Sequence, residues 1–184
     1  GSTLVLIYQN STHNPYLEFY RTENAVAVSP HDLRMEMDKG IHDTIIVDLR
    51  TKEEYTKEHI VWAINIPGFS PTDTDAESQR VRIVNEFKKL PKDKRIIVHC
   101  YTHYCMLAKH VGLMAAEAGI NVHELNVWWN EWRNEWDLWN GKGTSQSVDI
   151  TKYLEWTEVK KWSGTTQSWM LDIAPCTKDG LAWC

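Results

Sequence analysis

Long apolar runs and clusters of basic residues are both absent from this sequence of 184 residues. The longest apolar stretches, such as Leu4 to Ile7 and Ile45 to Val47, are far shorter than the about 20 residues that a membrane-spanning helix needs. Lys and Arg number 20 against 25 Asp and Glu, which gives a net charge of -5. We therefore expect neither a membrane span nor a nucleic-acid partner. Repeats and low-complexity segments are also absent, and the length suits one domain with an appended segment.

Cysteine is scarce, with four residues that fall into two pairs. Cys100 and Cys105 lie in the middle of the chain, whereas Cys176 and Cys184 lie near its end. A disulfide between the terminal pair would favour a periplasmic or other extracytoplasmic location, because such bonds persist in oxidising compartments. Two unpaired thiols fit the same spacing equally well, so the compartment stays open.

Two β-branched runs, Thr44 to Leu49 and Arg95 to His99, are continuously apolar rather than alternating. This pattern is typical of strands covered on both faces, as in a parallel α/β sheet. A further strand is expected over 121–127. Helix-start and helix-stop residues predict helices over 31–39, from 51 onward, 75–90 and 105–118. The first of these would be capped by Ser29 and ended by Gly40.

The apolar faces of the last two helices follow from their spacing. In the helix over 75–90 we expect the buried face to consist of Val81, Val84, Phe87 and Leu90. In the helix over 105–118 we expect it to consist of Leu107, Val111, Met114, Ala115 and Ala118.

Tryptophan is unusually dense just after the last predicted strand. Trp129, Trp132 and Trp136 lie at helical spacing, which predicts a stripe that docks on the core rather than a ligand platform. Residues 141–184 form a polar, tryptophan-bearing extension that could wrap the domain or meet a protein partner. We therefore divide the chain into a strand-like N-terminal arm over 1–23, a central domain over 24–140 and this extension.

Cys100 is the candidate reactive residue. It follows a buried strand and precedes a helix, and ligands of open α/β sheets bind beyond the carboxyl ends of the strands. Inward-pointing loop amides and the helix dipole are expected to lower the pKa of the Cys100 thiol. The alternative is a buried, inert cysteine at a strand end.

Three groups of motifs resemble the rhodanese family, in family order, across about residues 26–140. The first comprises Val47 to Arg50, Glu53 to Tyr55, Glu58 to Ile60 and Ala63 to Pro67. The second, Ile96 to Cys105, is similar to the active-site strand with its six-residue loop. The third, Gly119 to Asn126, resembles the strand that precedes a tryptophan-bearing helix. Each motif is weak alone, but together they are specific.

The resemblance implies an α/β, three-layer fold with a central, mainly parallel sheet flanked by helices. It also implies a sulfurtransferase in which Cys100 takes a sulfane sulfur from a small sulfur-containing anion such as thiosulfate, or from a persulfide. The sulfur would then pass to cyanide or a thiol, without metal or cofactor. The persulfide would be held by Tyr101, Thr102, His103, Tyr104 and Cys105. Asp48 and Arg50 look like the family's structural ion pair, and His59 also looks structural.

The loop departs from the family pattern, since His103 stands where glycine is usual and no Lys or Arg lies between Cys100 and Met106. Thiosulfate is therefore a less assured donor. Met106 argues against a related phosphatase or arsenate reductase, which needs an arginine there. A non-catalytic binding module and a Cys100/Cys105 dithiol redox protein remain as alternatives. Cys105 either attacks the persulfide or fills a small-residue position, and His99 with His103 makes a poor metal site.

Overall fold

The structure, a computed structural model, describes residues 14–70, 72, 75–136 and 149–156. Within them the α-helices are α1 Pro15–Val26, α2 Pro30–Asp38, α3 Lys52–Lys57, α4 Arg80–Lys88, α5 Leu107–Glu117 and α6 Trp129–Asn134. The strands are β1 Ala27–Val28, β2 Thr44–Asp48, β3 His59–Ile60, β4 Ile64–Asn65, β5 Arg95–His99, β6 His123–Leu125 and β7 Leu154–Glu155. A 3₁₀ turn, Ile150–Tyr153, leads into β7.

Five of the strands form one parallel sheet in the order β1-β6-β5-β2-β4. Helices α4 and α5 supply buried residues to the core on one face of this sheet, and α2 and α6 supply them to the core on the other. The remaining two strands, β3 and β7, pair antiparallel in a separate ladder. The predicted α/β fold with a mainly parallel central sheet between helices is confirmed.

The apolar continuity of β2 and β5 follows from this layering. Ile46 and Ile97 pack into the core on the α2 and α6 side, whereas Val47 and Val98 pack into the core under α4 and α5. All four side chains are buried. Since successive strand residues point to opposite faces, both faces must be apolar when both are covered.

The predicted helix ends at the start of the domain are confirmed. The Ser29 side chain accepts a hydrogen bond from the His31 amide at 3.2 Å, and Gly40 follows α2 with φ of 63°, a conformation that glycine adopts freely. Thr51 and Glu54 form the predicted capping box of α3. Helix α3 therefore begins directly after β2, next to the carboxyl end of the sheet.

Helix α4 differs from its prediction in its start and its buried face. It begins at Arg80, and its buried residues are Ile83 and Phe87, one turn apart. Val81, which we expected to be buried, is 74% exposed, so its assignment to the core is wrong. Ile83 lies four residues before Phe87 and therefore shares its face of the helix, whereas Val81, six residues before Phe87, lies on another face.

Helix α5 begins at Leu107, so Cys105 belongs to the loop that precedes the helix. The predicted buried face of this helix is correct at four positions, Leu107, Val111, Met114 and Ala115. Ala118 is exposed, since the helix has ended and Gly119 follows with φ of 77°.

Residues 15–26 form a helix, so the strand-like conformation predicted for the N-terminal arm is wrong over the part that the structure describes. Asn14 caps the helix by accepting hydrogen bonds from the amides of Tyr16 and Leu17, and Pro15 occupies the first helical position. This pairing of a cap with proline was the overlooked signal. The predicted boundary between residues 23 and 24 lies within α1.

The tryptophan stripe docks on the core as predicted. Trp132 is fully buried and Trp136 is 9% exposed, and the adjacent Trp128, which was not part of the stripe, is also buried. Part of the C-terminal extension returns to the same core. Tyr153 is buried there, and its hydroxyl donates to Asp38 at 2.7 Å.

Cys176 and Cys184, for which a disulfide and two unpaired thiols were the alternatives, lie outside the described residues. The extension's protein partner stays a prediction. Among the described helices none is long and apolar enough to cross a membrane.

Candidate active site

Cys100 lies at the carboxyl end of β5, the middle strand of the parallel sheet. The residue before it, His99, is aligned with Asp48 at the end of β2. The Trp129 amide donates to the Cys100 carbonyl at 3.0 Å, and the Asn130 amide donates to the Tyr101 carbonyl at 2.9 Å. The first turn of α6 therefore fixes the start of the cysteine loop, residues 100–105.

The amides of the cysteine loop are arranged differently from the sequence prediction. The His103 amide donates to Glu131 Oε1 at 3.1 Å, and the Tyr104 amide donates to Thr102 Oγ1 at 3.3 Å. The Cys105 amide donates to the Thr102 carbonyl at 3.0 Å. These three amides bind oxygen acceptors and do not converge on the Cys100 sulfur. The Tyr101 amide does bind Cys100 and acts to lower its pKa, as expected, but its effect is smaller than that of burial.

Glu131 is a site residue that the sequence analysis missed. Its second carboxylate oxygen accepts a hydrogen bond from the Trp128 amide at 3.1 Å, while the first holds His103. The available signal was a glutamate at the third position of the tryptophan-bearing helix, where such a residue commonly reaches back to the cap. One carboxylate thus ties α6 to the outer part of the cysteine loop.

The two cysteines of the loop are in direct contact. Their Sγ atoms are 3.2 Å apart, and both thiols are free. Cys100 is fully buried, and Cys105 is 5% exposed. The turn closed by the hydrogen bond from the Cys105 amide to the Thr102 carbonyl brings the second thiol back over the first.

The acidity of these thiols is opposite to our prediction for Cys100. Burial raises the pKa of Cys100 well above its ordinary value, and the hydrogen bond to Cys105 adds to the effect. The hydrogen bond from the Cys100 thiol lowers the pKa of Cys105 to about 7, helped by the Leu107 and Tyr101 amides and opposed by burial. The expected lowering of the Cys100 pKa is wrong, because Cys100 is fully buried and the Leu107 amide at the start of α5 binds Cys105 instead.

The predicted ion pair between Asp48 and Arg50 is present and buried. The Arg50 guanidinium binds the Asp48 carboxylate through Nε and Nη2, the latter at 2.7 Å, and also donates to the Glu58 carbonyl at 2.8 Å. Its carbon lies 4.0 Å from the centre of the Trp129 ring, a cation-π contact. The pair therefore connects the end of β2 with the start of α6.

His99 is a neutral neighbour of this pair. Burial lowers its pKa, with the Asp48 charge acting in the opposite direction. Its Nδ1 donates to the Cys100 carbonyl at 3.3 Å. Its Nε2 lies 3.7 Å from Asp48 Oδ2 and has no hydrogen-bond partner among the described residues. For Asp48, burial would raise the pKa, but His99 and Arg50 together hold it below its ordinary value. Since His99 is uncharged near neutral pH, Arg50 is the cation that keeps this carboxylate ionised.

The remaining predicted residues lie around the thiols rather than on them. The Tyr101 hydroxyl accepts a hydrogen bond from the Thr51 amide at 3.3 Å, which ties the loop to α3. His103 is exposed, and Tyr104 is 81% exposed. His59 stacks on Tyr55 with ring centres 3.8 Å apart, which fits its predicted structural position.

A groove of about 310 Å³ opens beside the loop, between α1 and β6. His103, Lys109, Glu124 and Trp128 are among its lining residues. The groove brings a lysine to the side of the loop, which has no cationic residue of its own. Among the described residues no group of three or more His, Cys, Asp or Glu is arranged to hold a metal ion.

The fold and this site define a parallel α/β domain with a cysteine loop after the middle strand. Residues 29–135 match the family model of the Rhodanese-like domain, and this chain belongs to that family. The chain is 34% identical over 91 residues to the HTH-type transcriptional regulator Rv0324 of Mycobacterium tuberculosis. That match covers 50% of this chain but 35% of the regulator, so the chain spans about a third of that relative's length.

Solved structures share the fold. The crystal structure of the BH2092 protein from Bacillus halodurans has a TM-score of 0.53 at 28% identity, covering 78% of this chain and 88% of that one. A protein from Lactobacillus plantarum has a TM-score of 0.52 at 19% identity, covering 66% of this chain and 92% of that one. At 19% identity, the similarity to the Lactobacillus plantarum protein concerns the fold alone.

Proposed function

We propose that this chain is a sulfurtransferase in which Cys100 accepts a sulfane sulfur from a donor and passes it to a thiophilic acceptor. The observation that carries the proposal is the position of Cys100, directly after the middle parallel strand and held there by the first turn of α6. Ligands of open parallel sheets bind at this edge. Membership of the rhodanese-like family, in which many members are sulfurtransferases, supports the same activity.

The transfer begins with attack by the Cys100 sulfur on the outer sulfur of the donor. The sulfur–sulfur bond of the donor breaks, and sulfite or a thiol leaves with the electron pair. Because burial raises the pKa of Cys100, a base must take its proton. Cys105, whose pKa is lowered to about 7, lies 3.2 Å away and is placed to accept it. The acceptor, cyanide or a thiol, then removes the bound sulfur.

The charge around the loop favours persulfide donors over thiosulfate. The loop carries no Lys or Arg between Cys100 and Met106, and the Glu131 carboxylate binds the His103 amide at 3.1 Å. A dianion meets a fixed negative charge there, whereas a persulfide carries at most one charge at its reacting end. Lys109, which lines the adjacent groove, is a candidate cation for an anionic donor.

The test measures the rate at which the protein forms thiocyanate from cyanide, the sulfur acceptor. Thiosulfate and the persulfide of a small thiol are supplied as sulfur donors in separate reactions. We expect Cys100→Ser to lower the rate by at least about a thousandfold, the size of loss typical for a missing nucleophile. The matched control is the double variant Cys176→Ser/Cys184→Ser, which makes the same substitution elsewhere and should keep the rate. Activity that survives Cys100→Ser would contradict the proposal, as would the absence of thiocyanate from both the unmodified chain and Cys105→Ser with both donors.

A dithiol redox protein is the second candidate, favoured by the 3.2 Å contact between the two sulfur atoms. Such a protein would form a readily reduced Cys100–Cys105 disulfide but would take up no sulfane sulfur. The same donor experiment separates the two functions, because only the sulfurtransferase makes thiocyanate.

A further inference from the structure

Cys105 is a second nucleophile, and its sulfur atom is in contact with the Cys100 sulfur, which would carry the persulfide. The Sγ atoms are 3.2 Å apart, against about 2.05 Å in a disulfide, so the sulfur atoms need to approach by only about 1 Å. Both atoms are shielded from solvent, since Cys100 is fully buried and Cys105 is 5% exposed. A bulky external thiol has less access to the Cys100 sulfur than Cys105 has.

We propose that Cys105 is a resolving thiol that attacks the Cys100 persulfide, releases sulfide and leaves a Cys100–Cys105 disulfide. The inference rests on the proposed function, because it needs the persulfide to form first. In this proposal Cys105, rather than an external thiol, reacts first with the persulfide, and the first product is hydrosulfide.

The step balances without an outside oxidant. The Cys105 thiolate attacks Cys100 Sγ, the bond between that atom and the sulfane sulfur breaks, and hydrosulfide leaves with the electron pair. The sulfane sulfur gains two electrons, and each cysteine sulfur gives up one in forming the disulfide. A second turnover requires a reductant of the dithiol class to restore the two thiols.

Cys105 has the acidity that this attack requires. The pKa of about 7 applies while Cys100 is a thiol, because the largest cause of the lowering is the hydrogen bond from Cys100. The hydrogen bonds from the Leu107 and Tyr101 amides do not need the Cys100 proton, so they continue to favour the Cys105 thiolate when Cys100 carries sulfur. Thiols whose pKa lies near the ambient pH are the most effective attacking groups in such exchanges. If Cys105 only filled space between the loop and the core, its replacement by serine or alanine would leave sulfide release unchanged. The variants Cys105→Ser and Cys105→Ala therefore separate the two roles.

The experiment is a single turnover on the full chain without oxygen, in a Cys176→Ser/Cys184→Ser background so that the loop thiols are the only ones. Reduced protein is treated with the persulfide of a small thiol, the donor is removed, and sulfide and intact mass are followed. We expect the parent to release about one sulfide per chain without added reductant and to end about 2 Da below the reduced mass. Parent protein kept without donor should stay at the reduced mass.

Cys105→Ser and Cys105→Ala should instead keep an added mass of about 32 Da and release sulfide at least about a hundredfold more slowly. In the parent the release rate should rise with pH as Cys105 loses its proton, because the thiolate is the attacking form. A parent that keeps the added sulfur, carries it on Cys105, or forms the disulfide without donor would overturn the inference. If no variant gains sulfur, the proposed sulfurtransferase function itself fails. Urea unfolding checks that both variants are folded.

Discussion

Replacement of Arg50 by methionine tests the buried ion pair beside the cysteine loop. In the native chain the Arg50 and Asp48 side chains are 4% and 0% exposed, and the guanidinium also binds the Glu58 carbonyl. Methionine keeps much of the volume and removes the charge and the donors. The Asp48 carboxylate then lacks the cation that keeps it ionised.

The expected loss follows from leaving a buried charge without its partner. Removal of one member of such a pair typically costs about 3–5 kcal/mol of unfolding free energy. The double variant Asp48→Asn/Arg50→Met removes both charges and should recover at least about half of that loss. Arg133→Met is the matched control, because Arg133 also binds Glu58 but its side chain is 34% exposed, and such pairs contribute at most about 1 kcal/mol.

The loss caused by Arg50→Met should depend on pH with a definite sign. In the native chain the pKa of Asp48 is lowered on folding, so its contribution is present above the unfolded value of about 3.9 and disappears as the pH falls through the folded value. Without Arg50, burial raises the pKa of Asp48, and the penalty grows as the pH rises above about 4. Protonation of His99, which lies 3.7 Å from Asp48, would relieve the same penalty at low pH.

The assay is urea unfolding of the native chain, the single variants and the double variant at pH 5 and pH 8. The difference between native chain and Arg50→Met should be larger at pH 8 than at pH 5. A loss below about 1 kcal/mol at pH 8, or a difference that grows toward pH 5, would refute the account of the ion pair.

Three further predictions concern the core, the extension and the thiols. Trp132→Ala should lower the unfolding free energy by about 3–5 kcal/mol in urea, because the side chain is fully buried; a loss under about 1 kcal/mol would contradict its place in the core. Tyr153→Phe removes the 2.7 Å hydrogen bond to Asp38 and should cost about 1 kcal/mol, and an unchanged urea midpoint would count against docking of residues 149–156. The ultraviolet thiolate absorbance of the native chain should rise near pH 7, where the pKa of Cys105 lies, and Cys105→Ser should abolish that rise, whereas a titration near pH 7 that persists would contradict the assignment.

The parts of the fold that could be predicted depend on local chemistry. Continuous β-branched runs predicted strands β2 and β5, because the strands of a parallel sheet that is covered on both faces have apolar side chains on both sides. The Ser29 cap and the Thr51–Glu54 box are satisfied within four residues of the chain, so a short window of sequence contains all the atoms involved. The Asn14 cap followed by Pro15 is equally local, so the start of α1 could also be predicted from the sequence.

The candidate site could be located from the sequence but not described in detail. Family motifs pointed to Cys100, whereas its contact with Cys105 depends on how the turn through Thr102 is closed. The order of the two pKa values depends on burial and on which thiol accepts a hydrogen bond from the Leu107 amide, and neither can be read from sequence spacing. Glu131 reaches the loop through tertiary packing of α6, so no motif in the loop itself indicated it.

The central claim is that Cys100 is the residue that carries sulfane sulfur, and the most direct test is intact mass with peptide mapping after treatment with the persulfide of a small thiol. In Cys105→Ser, where the internal attack is removed, we expect about 32 Da of added mass on the peptide that contains Cys100. The added mass should form more slowly than the persulfide forms in the native chain, because Cys105 is also the proton acceptor, so the treatment is prolonged. Cys100→Ser should gain none. Added sulfur that maps to another cysteine, or no added sulfur on Cys105→Ser with any donor, would contradict the account.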